Sequence, residues 1–376
     1  MLGAFAWVGW HFSTVLLRPD RTPRYPEQVV AVRGAWSWFV RSRWTEQPGQ
    51  WGVSWPGGGA TVGPPVSGPA AGELVCRAWV GAATPPDGTR VAFDCGLPGF
   101  DPGVHGLDFA GVAVPGPLGE YPAWLVPARC PGEPSDTWVV AVHGRGVDRA
   151  ECLRVLPELH RLGLAVLAIS YRNDLDAPPS PDGHYHLGDT EWRDLEAAVA
   201  YASAAGAGAV VLYCWSMGAA ISGAFLDRSP LANRVAAVVW DCPLLDWRAT
   251  LREQAAQRRL PRGLIPLVVA LTRRRIDVDF DRFDLPRRPP SVRPPTLIFQ
   301  GSLDTSVPVG PARALAAAAP GLDWPLRYVE VPGAEHTATW NADPAAYERA
   351  LTEFLGAHVP TCSTPRRVQW HDGVRD

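Results

Sequence analysis

One stretch, residues 210–220, constrains the fold of this chain more than any other part of the sequence. It reads VVLYCWSMGAA, and its first four residues form an apolar, β-branched and aromatic run typical of a buried strand. Ser216 follows three residues after Tyr213, and small residues then recur on a helix-compatible pattern that ends near Asp227. The pattern predicts a strand, a sharp turn with a serine at its tip, and a helix.

This arrangement is typical of a nucleophile elbow, in which the turn forces the serine into a strained backbone conformation. Because the strand and the helix pass closely, the residues two before and two after the serine must be small. Gly218 meets this requirement, and Cys214 stands where the usual G-x-S-x-G pattern has glycine. Cysteine is small enough for the interpretation to hold. The alternative is that Ser216 is an ordinary helix N-cap.

Two later loops offer partners for this serine. A serine hydroxyl is a poor nucleophile at neutral pH, so it needs a base, and the base needs an orienting acid. Asp304 follows the predicted strand Pro295–Gln300, and His336 follows the predicted strand Leu326–Val331. Since the carboxyl ends of parallel strands meet at one edge of a sheet, we predict a catalytic triad of Ser216, Asp304 and His336.

Each member of this set also has a simpler interpretation when taken alone. Asp304 is compatible with a turn or capping residue, and His336 with a structural histidine. Their order in the chain, each after a strand, favours the triad. Asp241, at the end of the predicted strand Val235–Trp240, is the alternative acid, and Glu335 is expected to face away from His336.

An acyl-transfer site also needs backbone N–H groups where negative charge develops on the substrate oxygen. Met217, directly after the serine, is one predicted donor. The other is Arg145, in the loop after the predicted strand Thr137–Val142, and its side chain is equally compatible with an anionic substrate or a surface role. Candidate pocket residues are His143 (otherwise expected to be structural), Gly144, Tyr171, Arg172, Asn173, Trp215 and Trp340.

Composition excludes several other chemistries. All 35 basic residues are arginine, which excludes a Schiff-base lysine and a Walker-type phosphate loop. A net charge of −3 gives no footprint for nucleic acid. Seven scattered cysteines without C-x-x-C spacing favour a reduced, cytoplasmic setting. We predict no cofactor and no metal, since His184 and His186 with Asp189 and Glu191 match no strong ligand spacing.

The chain divides into three parts. Residues 1–17 form a predicted apolar helix, either a membrane anchor that leaves the catalytic part in the cytoplasm or a helix packed on the protein's own surface. Residues 18–106, rich in glycine, proline and tryptophan, predict a small β-rich accessory region. In residues 107–376, apolar strands alternate with helices, which predicts an α/β fold with a mostly parallel sheet covered on both faces. An insertion at about residues 242–293 predicts a lid.

From about Leu107 to His358 the sequence resembles the α/β-hydrolase superfamily, and within it a bacterial branch akin to the prolyl-oligopeptidase-like and BAAT-like serine hydrolases. The resemblance rests on HGRG at 143–146, ISYRND at 169–174, YHLGDTEWRDLEAAVAYA at 185–202, CWSMG at 214–218, GSLD at 301–304 and GAEHTATWNADP at 333–344. It implies the same triad and a small-molecule acyl substrate. Because this superfamily hosts many reactions, ester hydrolysis is the favoured activity, and a peptidase or amidase acting on short peptides and a non-catalytic binding protein remain alternatives.

Overall fold

The computed structural model describes residues 2–18, 22–66, 72–81, 83–96, 101–129, 135–261 and 263–361. Cys130 and Cys362, two of the cysteines considered above, lie outside these ranges. Helix α1 (Leu2–Leu17) precedes two β structures, a barrel and a large sheet.

The N-terminal β structure is a closed barrel of six antiparallel strands. They are β1 (Glu27–Arg33), β2 (Trp36–Val40), β3 (Trp51–Trp55), β4 (Gly58–Val66), β5 (Leu74–Val80) and β6 (Arg90–Asp94), in the order β1-β2-β5-β4-β3-β6. Pairing of β1 with β6 closes it. Val29, Phe39, Val53 and Val91 are among the apolar side chains of its core. Closure removes exposed strand edges, which explains how so small a β unit stays isolated from other strands.

The second β structure is an eight-stranded mixed sheet. Its strands are β7 (Ala110–Gly116), β8 (Gly119–Val126), β9 (Thr137–Val142), β10 (Ala165–Ile169), β11 (Ala209–Trp215), β12 (Val235–Asp241), β13 (Thr296–Gly301) and β14 (Leu326–Val331), in the order β14-β13-β12-β11-β9-β10-β8-β7. β7 and β8 form an antiparallel hairpin, and β8 also pairs antiparallel with β10. The other pairs are parallel.

Helices cover both faces of the sheet. They are α2 (Leu156–Arg161), α3 (Trp192–Ala204), α4 (Met217–Arg228), α5 (Trp247–Gln257), α6 (Leu264–Ile276), α7 (Val309–Ala318), α8 (Thr339–Ala342) and α9 (Pro344–His358). One apolar core includes Leu195 of α3 and Phe225 of α4, and the other includes Leu159 of α2 and Leu351 of α9. Burial on both faces explains why the central strands read as continuous apolar runs.

One helix begins later than its apolar spacing indicates. The sequence pattern favours a helix from Leu187, whereas α3 begins at Trp192. The Glu191 carboxylate accepts the backbone N–H groups of His186 and Gly188, at 2.6 and 2.9 Å. These bonds stabilise a turn over the residues before the helix, and a local side-chain acceptor thereby competes with helical hydrogen bonding.

The insertion between β12 and β13 carries α5 and α6, and α1 packs along α6. Gly9 allows the close approach, since an added Cβ would lie 2.9 Å from Leu267 Cδ2. Arg275 Nη1 donates to Thr14 Oγ1 at 2.9 Å. α1 is therefore a helix packed on the protein's own surface, and among the described residues none of the helices has both the length and the apolar character needed to cross a membrane.

Candidate active site

Ser216 lies at the tip of the turn between β11 and α4. Its backbone has φ 50° and ψ −115°, a conformation that is costly for a residue other than glycine. The Ser216 N–H donates to the Asp241 carbonyl, and the Leu244 N–H donates to the Ser216 carbonyl, each at 3.0 Å. Gly218 is packed so tightly that an added Cβ would lie 2.4 Å from the Val142 carbonyl oxygen. Contacts on both sides of the turn thus hold Ser216 in this strained backbone conformation.

Cys214 occupies the other position where the elbow requires a small residue. Its side chain is fully buried in the core beneath the turn. Burial raises the pKa of the Cys214 thiol to about 12, although a hydrogen bond with Ser222 acts in the opposite direction. The thiol is therefore protonated at neutral pH and packs as a small apolar side chain.

His336 connects the serine to a carboxylate. Its Nε2 lies 2.9 Å from Ser216 Oγ, and its Nδ1 lies 2.7 Å from Asp304 Oδ2. Asp304 Oδ1 also accepts the backbone N–H groups of Ser306 and Val307, at 2.8 and 2.7 Å. Burial acts to lower the pKa of His336, but the Asp304 charge and hydrogen bond outweigh it and raise that pKa above its usual value. With Nδ1 donating to Asp304, Nε2 is free to accept the Ser216 proton.

The other acidic candidates have different partners. Asp241 is fully buried and accepts hydrogen bonds from Thr339 Oγ1 at 2.6 Å and Tyr347 Oη at 3.0 Å. Glu335 accepts the hydroxyl of Thr305 at 2.9 Å. Within the described residues, neither carboxylate is hydrogen-bonded to the His336 ring, so Asp304 has the geometry of the orienting acid.

The predicted oxyanion loop lies directly against the serine. An added Cβ on Gly144 would come 3.1 Å from Ser216 Cβ, which shows how close the backbone approaches. The Arg145 N–H has no acceptor within the described part of the chain. Met217 is the first residue of α4, where a backbone N–H has no partner in its own helix. Both predicted donors are therefore available to a substrate oxygen.

His143 stabilises this loop from behind. Its Nε2 lies 2.7 Å from Asp174 Oδ2, and its Nδ1 lies 2.7 Å from the Gly144 carbonyl oxygen. The Tyr171 hydroxyl donates to the same carbonyl at 2.8 Å, and its ring stacks on the imidazole at 4.3 Å. Burial acts to lower the pKa of His143, but the Asp174 charge outweighs it and raises that pKa. His143 thus fixes the loop through contacts at both ring nitrogens.

Two further candidate pocket residues hold the segment after β10 in place. Arg172 forms a buried bidentate pair with Asp194, at 2.7 and 2.8 Å. The Asn173 side chain donates to Ser180 Oγ at 2.8 Å and closes its own loop. Arg172 and Asn173 thus stabilise the segment after β10, and neither lines the two cavities at Ser216.

Two tryptophans that the sequence suggested for the pocket lie in the core beneath the sheet. Trp215 is fully buried and stacks on Tyr213 with 4.5 Å between ring centroids. Trp340 is also buried, and its Nε1 donates to Glu348 Oε1 at 3.0 Å. Of the seven candidate pocket residues, all within the described ranges, Gly144 alone lines a cavity at the serine.

Two cavities open at the Ser216–His336 pair. The smaller, about 360 Å³, lies beneath α1, α5 and α6. Its walls are mostly apolar and include Phe12, Leu16, Leu251, Leu264 and Val268. The larger, about 960 Å³, lies between the barrel and the oxyanion loop. Both volumes fall in the range of about 300–1,000 Å³ typical of small-molecule sites.

Sequence reasoning missed two contributors to this site. The Glu151 carboxylate accepts the Gly144 N–H at 2.7 Å, and burial raises the pKa of Glu151 despite the nearby Arg154. The one available signal was an acidic residue shortly after the oxyanion loop. Helix α1, interpreted as an anchor or a surface helix, supplies Phe12 and Leu16 to the smaller cavity.

The histidine-rich cluster considered for a metal is engaged in local contacts. His186 Nε2 lies 3.2 Å from Asp182 Oδ2, and Asp189 pairs with Arg228 at 2.7 Å. Glu191 receives backbone N–H groups, as described above. His186, Asp189 and Glu191 thus each stabilise the segment before α3.

Comparisons with known proteins address the fold. No family model matches the sequence, and no curated protein matches it either. Among solved structures, the Pyrococcus furiosus esterase Pf2001 matches with a TM-score of 0.55 at 19% identity, over 70% of this chain and 97% of that one. A second crystal form matches at 0.54 and 19%, over 70% and 95%. The chain has the α/β-hydrolase fold. XC6422 from Xanthomonas campestris, an α/β serine hydrolase without a lid, is less similar, with a TM-score of 0.48 at 18% identity. The match covers 69% of this chain and 97% of that one.

Proposed function

We propose that this protein is a serine hydrolase that cleaves carboxylic esters through an acyl-enzyme intermediate. The observation that carries the proposal is the hydrogen-bonded series from Ser216 Oγ to His336 and on to Asp304, at 2.9 and 2.7 Å. The series begins at a serine in a strained turn. Backbone strain of this kind clusters at functional sites. The assignment to the prolyl-oligopeptidase-like or BAAT-like branch stays a prediction.

Each residue then has a defined chemical step. Ser216 Oγ attacks the acyl carbon while its proton passes to His336 Nε2, and Asp304 stabilises the imidazolium. The N–H groups of Met217 and Arg145 stabilise the oxyanion. The attack gives a tetrahedral intermediate. Its collapse breaks the bond between the acyl carbon and the alcohol oxygen, and the alcohol oxygen takes the proton from His336 Nε2. Water then attacks the acyl carbon while His336 Nε2 takes its proton. The bond from Ser216 Oγ to the acyl carbon breaks, the acid is released, and Nε2 returns the proton to Ser216 Oγ.

The smaller cavity supports an aliphatic acyl group. Its apolar lining would bury a hydrocarbon chain, and burial of apolar surface is favourable by about 25 cal/mol per Å². Helices α5 and α6, which carry Leu251, Leu264 and Val268, roof this cavity and act as the lid that excludes water from the bound chain.

A fluorophosphonate probe, which phosphonylates activated serines, tests the proposal. The native protein should be labelled and should hydrolyse p-nitrophenyl butyrate, whereas Ser216→Ala should lose both activities. Ser203→Ala is a matched control, since that hydroxyl lies on α3 and donates to the Val199 carbonyl. Circular dichroism establishes that each variant is folded.

Two results would contradict the assignment. Labelling that survives in Ser216→Ala would identify a different nucleophile. A folded native protein that is neither labelled nor active on the ester would favour a non-catalytic binding protein.

A further inference from the structure

The larger cavity at Ser216 has the barrel as one of its walls. The hairpin of β3 and β4 contributes Ser54 and Trp55, and the end of β6 contributes Asp94. The facing wall includes Gly144 and Arg145 of the oxyanion loop. A domain outside the hydrolase sheet therefore borders the reacting atoms directly.

The barrel wall is fixed against α8, the short helix that follows His336. Asn341 is fully buried, and its side-chain amide donates to the carbonyl groups of Gln50 and Cys95, at 2.7 and 3.0 Å. The Gln50 N–H donates back to the Asn341 carbonyl at 3.0 Å, and Arg154 Nη1 donates to the Cys95 carbonyl at 3.1 Å. These bonds hold the barrel in a fixed position against the rest of the chain, so the cleft between them has a defined shape.

The two cavities differ in chemistry. The smaller is lined mostly by apolar side chains, with Arg258 and Gln254 also in its wall, whereas the larger carries the Ser54 hydroxyl and carboxylates from Asp94, Asp101 and Asp148. Arg145 borders both cavities. The three carboxylates each accept a backbone N–H in their own loops, at 2.7 to 2.8 Å. A polar group placed here would find both donors and acceptors, while a hydrocarbon chain would leave these groups without water.

We infer that the barrel-lined cleft binds the leaving group, so that the substrate is an ester of an aliphatic acid with a bulky, polar alcohol. This inference rests on the proposed ester hydrolysis. The carbonyl carbon attacked by Ser216 has two substituents, the acyl chain and the alcohol oxygen. With the chain in the apolar cavity, the alcohol must extend into the other cavity that meets Ser216 and His336. The alcohol oxygen leaves with the electrons of the broken bond and takes its proton from His336 Nε2.

Substrates that share one acyl group isolate the leaving-group site. Methyl octanoate places almost nothing in the cleft, and 6-O-octanoylglucose fills it with a polar ring. Ser54 is suited to narrowing the cleft, because its neighbour Val53 packs in the barrel core and successive strand side chains face opposite ways. Ser54→Trp should lower kcat/KM for the glucose ester by about tenfold or more and change that for methyl octanoate by less than about threefold. Val80→Trp, at an exposed barrel position outside both cavity linings, is the matched control and should alter neither value.

The outcomes separate this inference from the proposed function. An equal loss for both esters in Ser54→Trp, no loss for either, or a native protein that cleaves methyl octanoate but not the glucose ester would overturn the leaving-group assignment and leave ester hydrolysis standing. Failure of the native protein to hydrolyse either ester or to react with the fluorophosphonate would instead overturn the proposed function.

Discussion

The Glu151 carboxylate accepts the backbone N–H of Gly144 at 2.7 Å, so a buried acid fixes the peptide next to the proposed oxyanion donor Arg145. Glu151→Ala should lower kcat/KM by about 10²-fold, near the lower end of the effect of losing an oxyanion donor. Glu151→Gln keeps an acceptor oxygen and should recover most of that loss. The measurement is p-nitrophenyl butyrate hydrolysis at saturating and limiting substrate. If Glu151→Gln is as slow as Glu151→Ala, the charge of Glu151 matters rather than its hydrogen bond to Gly144.

Asp304 should set the pH dependence of the proposed ester hydrolysis. Burial acts to lower the pKa of His336, and the Asp304 charge raises it above the usual value of about 6.5. The neutral imidazole is the base, so kcat/KM should fall as pH falls through this raised pKa. Asp304→Asn removes the charge that raises it, which should move the acid limb to lower pH while the maximal rate drops by roughly 10⁴-fold.

Glu335→Gln is the control for this pH profile, because Glu335 bonds to Thr305 and the amide preserves an acceptor. It should retain the acid limb of the native protein. A silent Asp304→Asn combined with an inactive Asp241→Asn would show that the acid has been assigned to the wrong residue.

Substitution of Val268 tests whether the smaller cavity binds the acyl chain. Val268 is buried on α6 and lines the smaller cavity beneath the helices of the insertion. Val268→Trp should lower kcat/KM for p-nitrophenyl octanoate by about tenfold or more, with p-nitrophenyl acetate changed little, because a two-carbon chain does not reach deep into the cavity. Ile276→Val, at a buried α6 position outside the cavity lining, serves as the comparison. Equal effects on both esters would place the acyl chain elsewhere.

Cys214 should matter for stability more than for rate. Cys214→Gly restores the usual elbow pattern, but it leaves a void and a freer backbone in a buried strand, which should cost about 1–3 kcal/mol of unfolding free energy. Urea denaturation measures this cost, with Cys76→Ala on β5 as a control at a partly exposed thiol. A large rise in kcat for Cys214→Gly would show instead that the native cysteine strains the elbow.

The three predicted triad residues share one property. Ser216, Asp304 and His336 each follow an apolar run, and the structure brings them within hydrogen-bonding distance. Trp215 and Trp340 were predicted as pocket residues because they lie close to Ser216 and His336 along the chain. Both are instead buried in the core beneath the sheet. Sequence proximity to a catalytic residue therefore indicates the loop, but not the side to which a neighbouring side chain points.

By itself, the sequence determined the alternation of strands and helices, the strained turn at Ser216 and the loops that hold its partners. These features depend on local periodicity and on the shared edge of parallel strands. The tertiary structure decided the closure of the barrel, the seating of α1 over the apolar cavity and the bond from Glu151 to Gly144. All three join residues through packing and hydrogen bonds that no local pattern encodes, because they depend on how separate elements dock together.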